Sequence, residues 1–106
     1  MDEAELNHKI WKTLRELADF EPNFLENIVG GFMQTSQQRL RQLEAGEGDT
    51  GELAHALRGA ALQVGADAFA ASCAALELHP DQREARLPEI RREFERAGAA
   101  LASRLP

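Results

Sequence analysis

Apolar side chains recur every three or four residues along most of the chain, and the rhythm breaks at four places: Phe20-Glu21-Pro22, Gly46-Glu47-Gly48-Asp49, Gly65 and His79-Pro80. Such spacing collects apolar residues on one face of an α-helix. Proline and glycine are the residues that end helices. The breaks therefore divide the chain into five helices, over 3–18, 22–45, 50–64, 67–79 and 88–104, with a loop or frayed turn over 81–87.

Each segment has its own stripe. The first carries Leu6, Ile10, Leu14 and Leu17, with Trp11 beside them. In the second, Phe24, Leu25, Ile28, Val29, Phe32, Met33, Leu40 and Leu43 form a wide apolar face, and Pro22 suits the first helical position. Asp49 or Thr50 can cap the third helix, where Asp49 with Glu52 resembles a capping box, and Gly65 can stop it in the left-handed conformation. Asp67 is placed to cap the fourth, which carries Phe69, Cys73, Leu76 and Leu78. Pro88 is placed to start the fifth, with Ile90, Phe94, Ala97 and Leu101 on its buried side. Alanine and leucine dominate the apolar set, aromatics are 6% and tyrosine is absent, a bias toward helix and away from sheet. With 106 residues the chain suits one small domain. Short connections make successive helices antiparallel neighbours. The expected fold is all-α: an antiparallel up-down-up-down four-helix bundle of the second to fifth helices, with the additional short N-terminal helix lying across one end.

Charge and cysteine usage narrow the function classes. A formal net charge of −6 offers no general attraction to nucleic-acid phosphates or anionic lipid. The arginines at 83, 86, 91, 92 and 96 alternate with glutamates and read as a solvated face with i,i+4 pairs. A single cysteine, Cys73, can form neither an internal disulfide nor a thiolate cage, and reads as a small buried hydrophobe. No apolar run approaches the ~20 residues of a membrane span, and the acidic start MDEAELNHKI lacks the order of a secretion signal. These features fit a cytoplasmic protein. His8 and His79 read as structural, and no phosphate-binding loop, nucleotide motif or metal cluster is apparent.

The third helix holds the chemistry. At ~100° per residue with Leu53 at zero, Leu57, Ala60 and Val64 fall within about 40° and Ala61 near 80°, which defines a core face. Arg58, Leu62, His55 and Gly59 fall at about 140°, 180°, 200° and 240°, on the far side. A glycine inside a helix costs about 0.8–1.0 kcal/mol relative to alanine, and a leucine on a solvated face gains nothing from burial. One explanation covers the whole patch: another protein closes over the imidazole of His55. Gly59 then gives clearance, Arg58 neutralises phosphoryl oxygens, and Leu62 adds apolar docking area. An unprotonated imidazole nitrogen is a competent nucleophile near neutral pH.

The run Ala54-His55-Ala56-Leu57-Arg58-Gly59-Ala60-Ala61-Leu62-Gln63-Val64-Gly65 resembles the signature of histidine-containing phosphotransfer domains: histidine, any residue, leucine, lysine, glycine, then a second glycine ten residues after the histidine. Leu76-Glu77 is similar to the close of that motif, and Asp19 to Leu25 resembles the family's approach to its second helix. The resemblance implies a four-helix carrier that takes a phosphoryl group on His55 from the aspartate of one receiver domain and passes it to another. It is then a carrier and not a stand-alone catalyst, needing no cofactor of its own, with Mg²⁺ supplied by the receiver. Receiver docking is expected from Leu62 and from Ile10 and Leu14 of the first helix. Two positions depart from the pattern. Arg58 stands where lysine is usual, and Glu77, 22 residues after His55, stands where some members place a glutamine that orients the imidazole. A carboxylate there could hold Nδ1–H, or repel a phosphoryl group if close.

Such modules are commonly the C-terminal piece of a hybrid sensor histidine kinase, which would put this one at the cytoplasmic side of an inner membrane without touching it, as a monomeric unit. Two rivals remain: a helical module that binds a receiver or enzyme without chemistry, and the phospho-accepting domain of a chemotaxis-type kinase. A dimeric kinase core fits less well, since the residues after His55 lack the acidic neighbour and downstream proline of such helices.

Overall fold

Asn7 starts the first helix: its side-chain oxygen accepts the Ile10 amide at 3.1 Å, satisfying one of the amides that a first turn leaves open. Asp49 acts in the same way on the Glu52 amide at 2.9 Å, the forward half of the expected capping box. The computed structural model describes residues 5–106, and its elements are α1 (His8–Ala18), α2 (Phe24–Ala45), α3 (Thr50–Gln63), α4 (Asp67–Leu78), a 3-10 turn (Pro80–Gln82) and α5 (Arg83–Ala102). No strand occurs among the described residues, and none of their helices is long and apolar enough to cross a membrane.

Two glycines shape the connections. Gly46 has φ +72°, and the amides of Gly46 and Glu47 turn back onto the carbonyls of Leu43 and Gln42, which closes α2. Gly65 has φ +73°, and a Cβ there would stand 3.2 Å from the Asn7 backbone nitrogen and from Trp11 Cδ1. That close approach is used. The Asn7 amide donates to the Gly65 carbonyl at 2.8 Å, Trp11 Nε1–H donates to the Val64 carbonyl at 2.9 Å, and Asn7 Nδ2 donates to Asp67 at 2.8 Å. These bonds fasten the start of α1 to the α3–α4 connection.

The helix bounds differ from the sequence expectation in physically instructive ways. The expected start at residue 3 lies outside the described residues; residues 5–7 are not helical, because Asn7 serves as the cap. Trp11, expected beside the stripe of α1, is buried at its centre, while Leu17 lies outside. Pro22 does not open α2. It sits in a turn, and Asn23 precedes the helix in the left-handed conformation with φ 61°. Val64 and His79 are C-caps, one residue earlier than expected in each case. Asp67 is the first residue of α4 and not its cap; its carboxylate instead receives Asn7.

The largest correction concerns α5, which begins at Arg83 instead of 88 and ends at Ala102 instead of 104. The expected loop over 81–87 is part of the 3-10 turn and the first turns of α5, with Pro88 inside the helix. Tertiary bonds support this extension: Arg83 Nη1–H donates to the Leu43 carbonyl at 2.6 Å, and Leu87 packs against the core. The proline removes only the bond to the carbonyl of Glu84, an exposed residue where water can serve as partner.

In the core, α2 and α4 each pack on both α3 and α5, and α1 packs on α2. Phe32 of α2, Phe69 of α4 and Phe94 of α5 meet with ring centroids 5.5 to 6.2 Å apart, within the range of favourable aromatic pairs. Arg91 of α5 ties back to α2 through both Glu44 oxygens (2.6 and 3.0 Å) and Gln37 (3.0 Å). Among the other α5 ion pairs, Arg92–Glu89 and Arg96–Glu93 run at i,i+3 and Arg83–Glu84 joins chain neighbours, in place of the expected i,i+4 spacing.

Candidate functional site

The core side of α3 is Ala54, Leu57 and Ala61, continued by Val64. Leu53 and Ala60, expected at its centre, are half-buried margins. The helix is thus rotated from the expected orientation toward its small residues. Ala54 and Ala61 on α3, like Ala70 and Cys73 on α4, are all buried, and small buried side chains let two helices approach closely. The rotation leaves His55 outside, with 64% of its side chain exposed.

His55 is held by Glu77. Its Nδ1 lies 2.7 Å from Glu77 Oε2. A carboxylate only accepts, so this contact places the ring proton on Nδ1 and leaves the lone pair of the neutral ring on Nε2. The second Glu77 oxygen lies 3.1 Å from Arg58 Nε, a charge contact whose geometry is not that of a hydrogen bond. Glu77 is 29% exposed and stands near the end of α4, so one carboxylate spans an imidazole and a guanidinium from α3. The Arg58 side chain is 39% exposed, which leaves donors available beyond Glu77.

Gly59 lies on the same outer side, and a Cβ there would meet nothing within 4 Å. Leu62 is 46% exposed and borders a shallow groove of about 260 Å³ with Arg58, Asp67, Ala70, Ala71 and Ala74. Leu78, expected on the apolar stripe of α4, is exposed beside Glu77. His55, Arg58, Gly59, Leu62 and Glu77 therefore share one surface.

The two α1 residues expected to dock a partner do not share it. Leu14 is only 8% exposed and belongs to the core, and Ile10 is half-buried against that core. The periodicity of α1 identified them as apolar. The tie from Trp11 to Val64 turns that face inward.

Cys73 is fully buried, and desolvation pushes its thiol up to about 12, so it is no nucleophile at neutral pH. Among the described residues, no group of three or more His, Cys, Asp or Glu side chains could hold a metal. One cation escaped the sequence reading: Arg39 of α2, on the groove between α2 and α3. Its signal was available in the absence of any carboxylate from Asn27 to Leu43. Compared with family models, with curated proteins and with solved structures, the chain finds no match.

Proposed function

We propose that the chain is a histidine phosphotransfer module of a two-component phosphorelay, carrying the phosphoryl group on Nε2 of His55. The observation that carries this reading is the 2.7 Å contact from His55 Nδ1 to Glu77, which leaves Nε2 as the nucleophile of an exposed ring beside the open Gly59. The fold is read as an antiparallel bundle of α2 to α5, supported by the ring of packing α2–α3–α4–α5–α2 and by short connections.

In the proposed transfer, the Nε2 lone pair attacks the phosphorus of a receiver's aspartyl phosphate. The P–N bond forms as the P–O bond breaks, and the electron pair leaves with the aspartate carboxylate. Nδ1 keeps its proton throughout, so the phosphorylated ring is cationic and Glu77 is its counter-ion. The return step reverses these changes on a second aspartate. Glu77 stands at Nδ1, and the phosphoryl group at Nε2 occupies another edge of the ring. Arg58, anchored through Nε by Glu77, can turn its terminal nitrogens to the phosphoryl oxygens. Mg²⁺ belongs to the receiver.

The test is to incubate the protein with a phosphorylated receiver domain and Mg²⁺ and follow the label. Appearance of an acid-labile, base-stable linkage that is lost in His55→Ala is the expected outcome. Transfer that persists in His55→Ala overturns the assignment.

A further inference from the structure

We propose that the phosphoryl partner docks across α2 and α3 with its acidic rim over α2, where Arg39 receives it; this rests on the reading of His55 as the carrier. The chain has 18 Asp and Glu against 12 Lys and Arg, yet none of the 18 lies between Asn27 and Leu43 or between Leu53 and Ala66. Those two stretches are most of α2 and α3. The carboxylates lie outside those stretches, among them Glu26 and Glu44 toward the ends of α2, Glu52 in the first turn of α3, Asp67 and Glu77 on α4 and Glu84, Glu89 and Glu93 on α5. The middle of α2 and the last three turns of α3 thus carry no acid, the carboxylates of these two helices being confined to their ends, at Glu26, Glu44 and Glu52.

Local structure on the α2 side fits a docked protein. A groove of about 340 Å³ runs between α2 and α3, with Gly31, Thr35, Arg39, Ala60 and Gln63 along it. A Cβ at Gly31, as at Gly59, would meet nothing within 4 Å, so both helices present bare backbone to an approaching surface. Arg39 is half-buried and makes no hydrogen bond or ion pair among the described residues, whereas Arg58, Arg83, Arg91 and Arg92 are all engaged. Arg39 is six residues from the end of α2 and His55 five from the start of α3, so at 1.5 Å per residue they stand roughly 7–9 Å from the connection, at about one level of the antiparallel pair.

The opposite flank, between α3 and α4, carries Asp67 and Glu77 beside its alanine groove. An acidic rim meets repulsion there and attraction over α2. The partner chemistry follows from the reaction: an aspartate that carries phosphate beside Mg²⁺ sits close to one or two further carboxylates that hold the metal. Such a pocket complements the arginine-bearing middle of α2, and complementarity of this kind acts mainly on the association rate.

The test compares two phosphoryl donors on Arg39→Glu, with Arg92→Glu on α5 as a control of equal charge. One donor is a receiver domain, phosphorylated with acetyl phosphate in Mg²⁺, that labels the unaltered protein. The other is phosphoramidate, which needs no protein surface. Arg39→Glu is expected to slow transfer from the receiver by roughly tenfold at low salt, with the deficit shrinking at high salt. Phosphoramidate labelling should be unchanged, and Arg92→Glu should match the unaltered protein with both donors. Unaltered transfer in Arg39→Glu, an equal loss in Arg92→Glu, or a change of oligomeric state in Arg39→Glu that marks the face as a contact between copies each overturns the docking proposal. Failure of the unaltered protein to label with phosphoramidate and with every phosphorylated receiver tried overturns the carrier reading and the docking face with it.

Discussion

Replacing Glu77 tests whether its carboxylate assists the imidazole or opposes the phosphate. In the resting site Glu77 accepts from Nδ1 at 2.7 Å and touches Arg58 Nε at 3.1 Å. Glutamine keeps an acceptor for Nδ1–H and removes the charge. A hydrogen bond to a charged partner contributes about 1.5–3 kcal/mol and a neutral one about 0.5–1.5. The ring is largely exposed, so screening favours the low end of the difference, about 1 kcal/mol. That difference grows in as the ring becomes cationic, so it falls on the barrier: Glu77→Gln should accept phosphate about fivefold more slowly. Alanine also releases the ring, and about 1.5–2 kcal/mol corresponds to a loss of roughly tenfold to thirtyfold. Single-turnover transfer from a phosphorylated receiver measures both rates, and ¹⁵N spectra of the imidazole report whether the proton has left Nδ1. Faster transfer in Glu77→Gln would mean that repulsion of the phosphoryl group governs, and would refute the reasoning. So would an unchanged tautomer in Glu77→Ala.

Gly59→Ala separates stability from function: with nothing within 4 Å of the new Cβ, the helix should gain about 0.8–1.0 kcal/mol in urea unfolding, while transfer from a receiver falls by about tenfold or more and phosphoramidate labelling holds. Cys73 sets an alkaline limit. Its thiol is raised from 9.0 to about 12 in the fold, so the native state keeps a proton that the unfolded chain loses. The contribution is whole below pH 9 and is lost between 9 and about 12, at about 1.4 kcal/mol per pH unit. Urea midpoints at pH 8 to 11 should fall more steeply for the unaltered protein than for Cys73→Ala, and parallel slopes would count against burial as the cause.

Much of this fold is legible in the sequence because punctuation and periodicity agree. Gly46, Gly65 and Asp49 do what their residue types suggest, and the stripe of α2 packs as expected, its gap between Met33 and Leu40 filled by the buried Ser36. Misreadings arise where tertiary bonds decide. Nothing local reveals that Arg83 will reach the Leu43 carbonyl and draw the helix start back past Pro88. Nor does the stripe of α1 disclose that Trp11 will find the Val64 carbonyl and roll Leu14 inward, away from any partner. In the site, the helical wheel sets His55, Arg58, Gly59 and Leu62 on one side of α3, but the bridge from Glu77 to both His55 and Arg58 depends on how α4 packs on α3.

Several residues that break local rules lie on α3 and on its neighbours α2 and α4. A glycine inside α3 lies open where alanine would fit, Leu62 and Leu78 stand in solvent, and Arg39 has no partner although the chain is rich in carboxylates. Other polar groups of the chain are closely satisfied: Arg91 takes both Glu44 oxygens and Gln37, and the Trp11 indole finds a carbonyl, although Ser36 Oγ is buried without a hydrogen-bond partner. A surface under selection for stability alone would fill Gly59 and pair Arg39, since both changes are sterically open or electrostatically favourable. Leaving them bare makes sense if something else covers them. On the proposed reading of His55 as a phosphoryl carrier, what covers it must also be able to exchange a group with an imidazole.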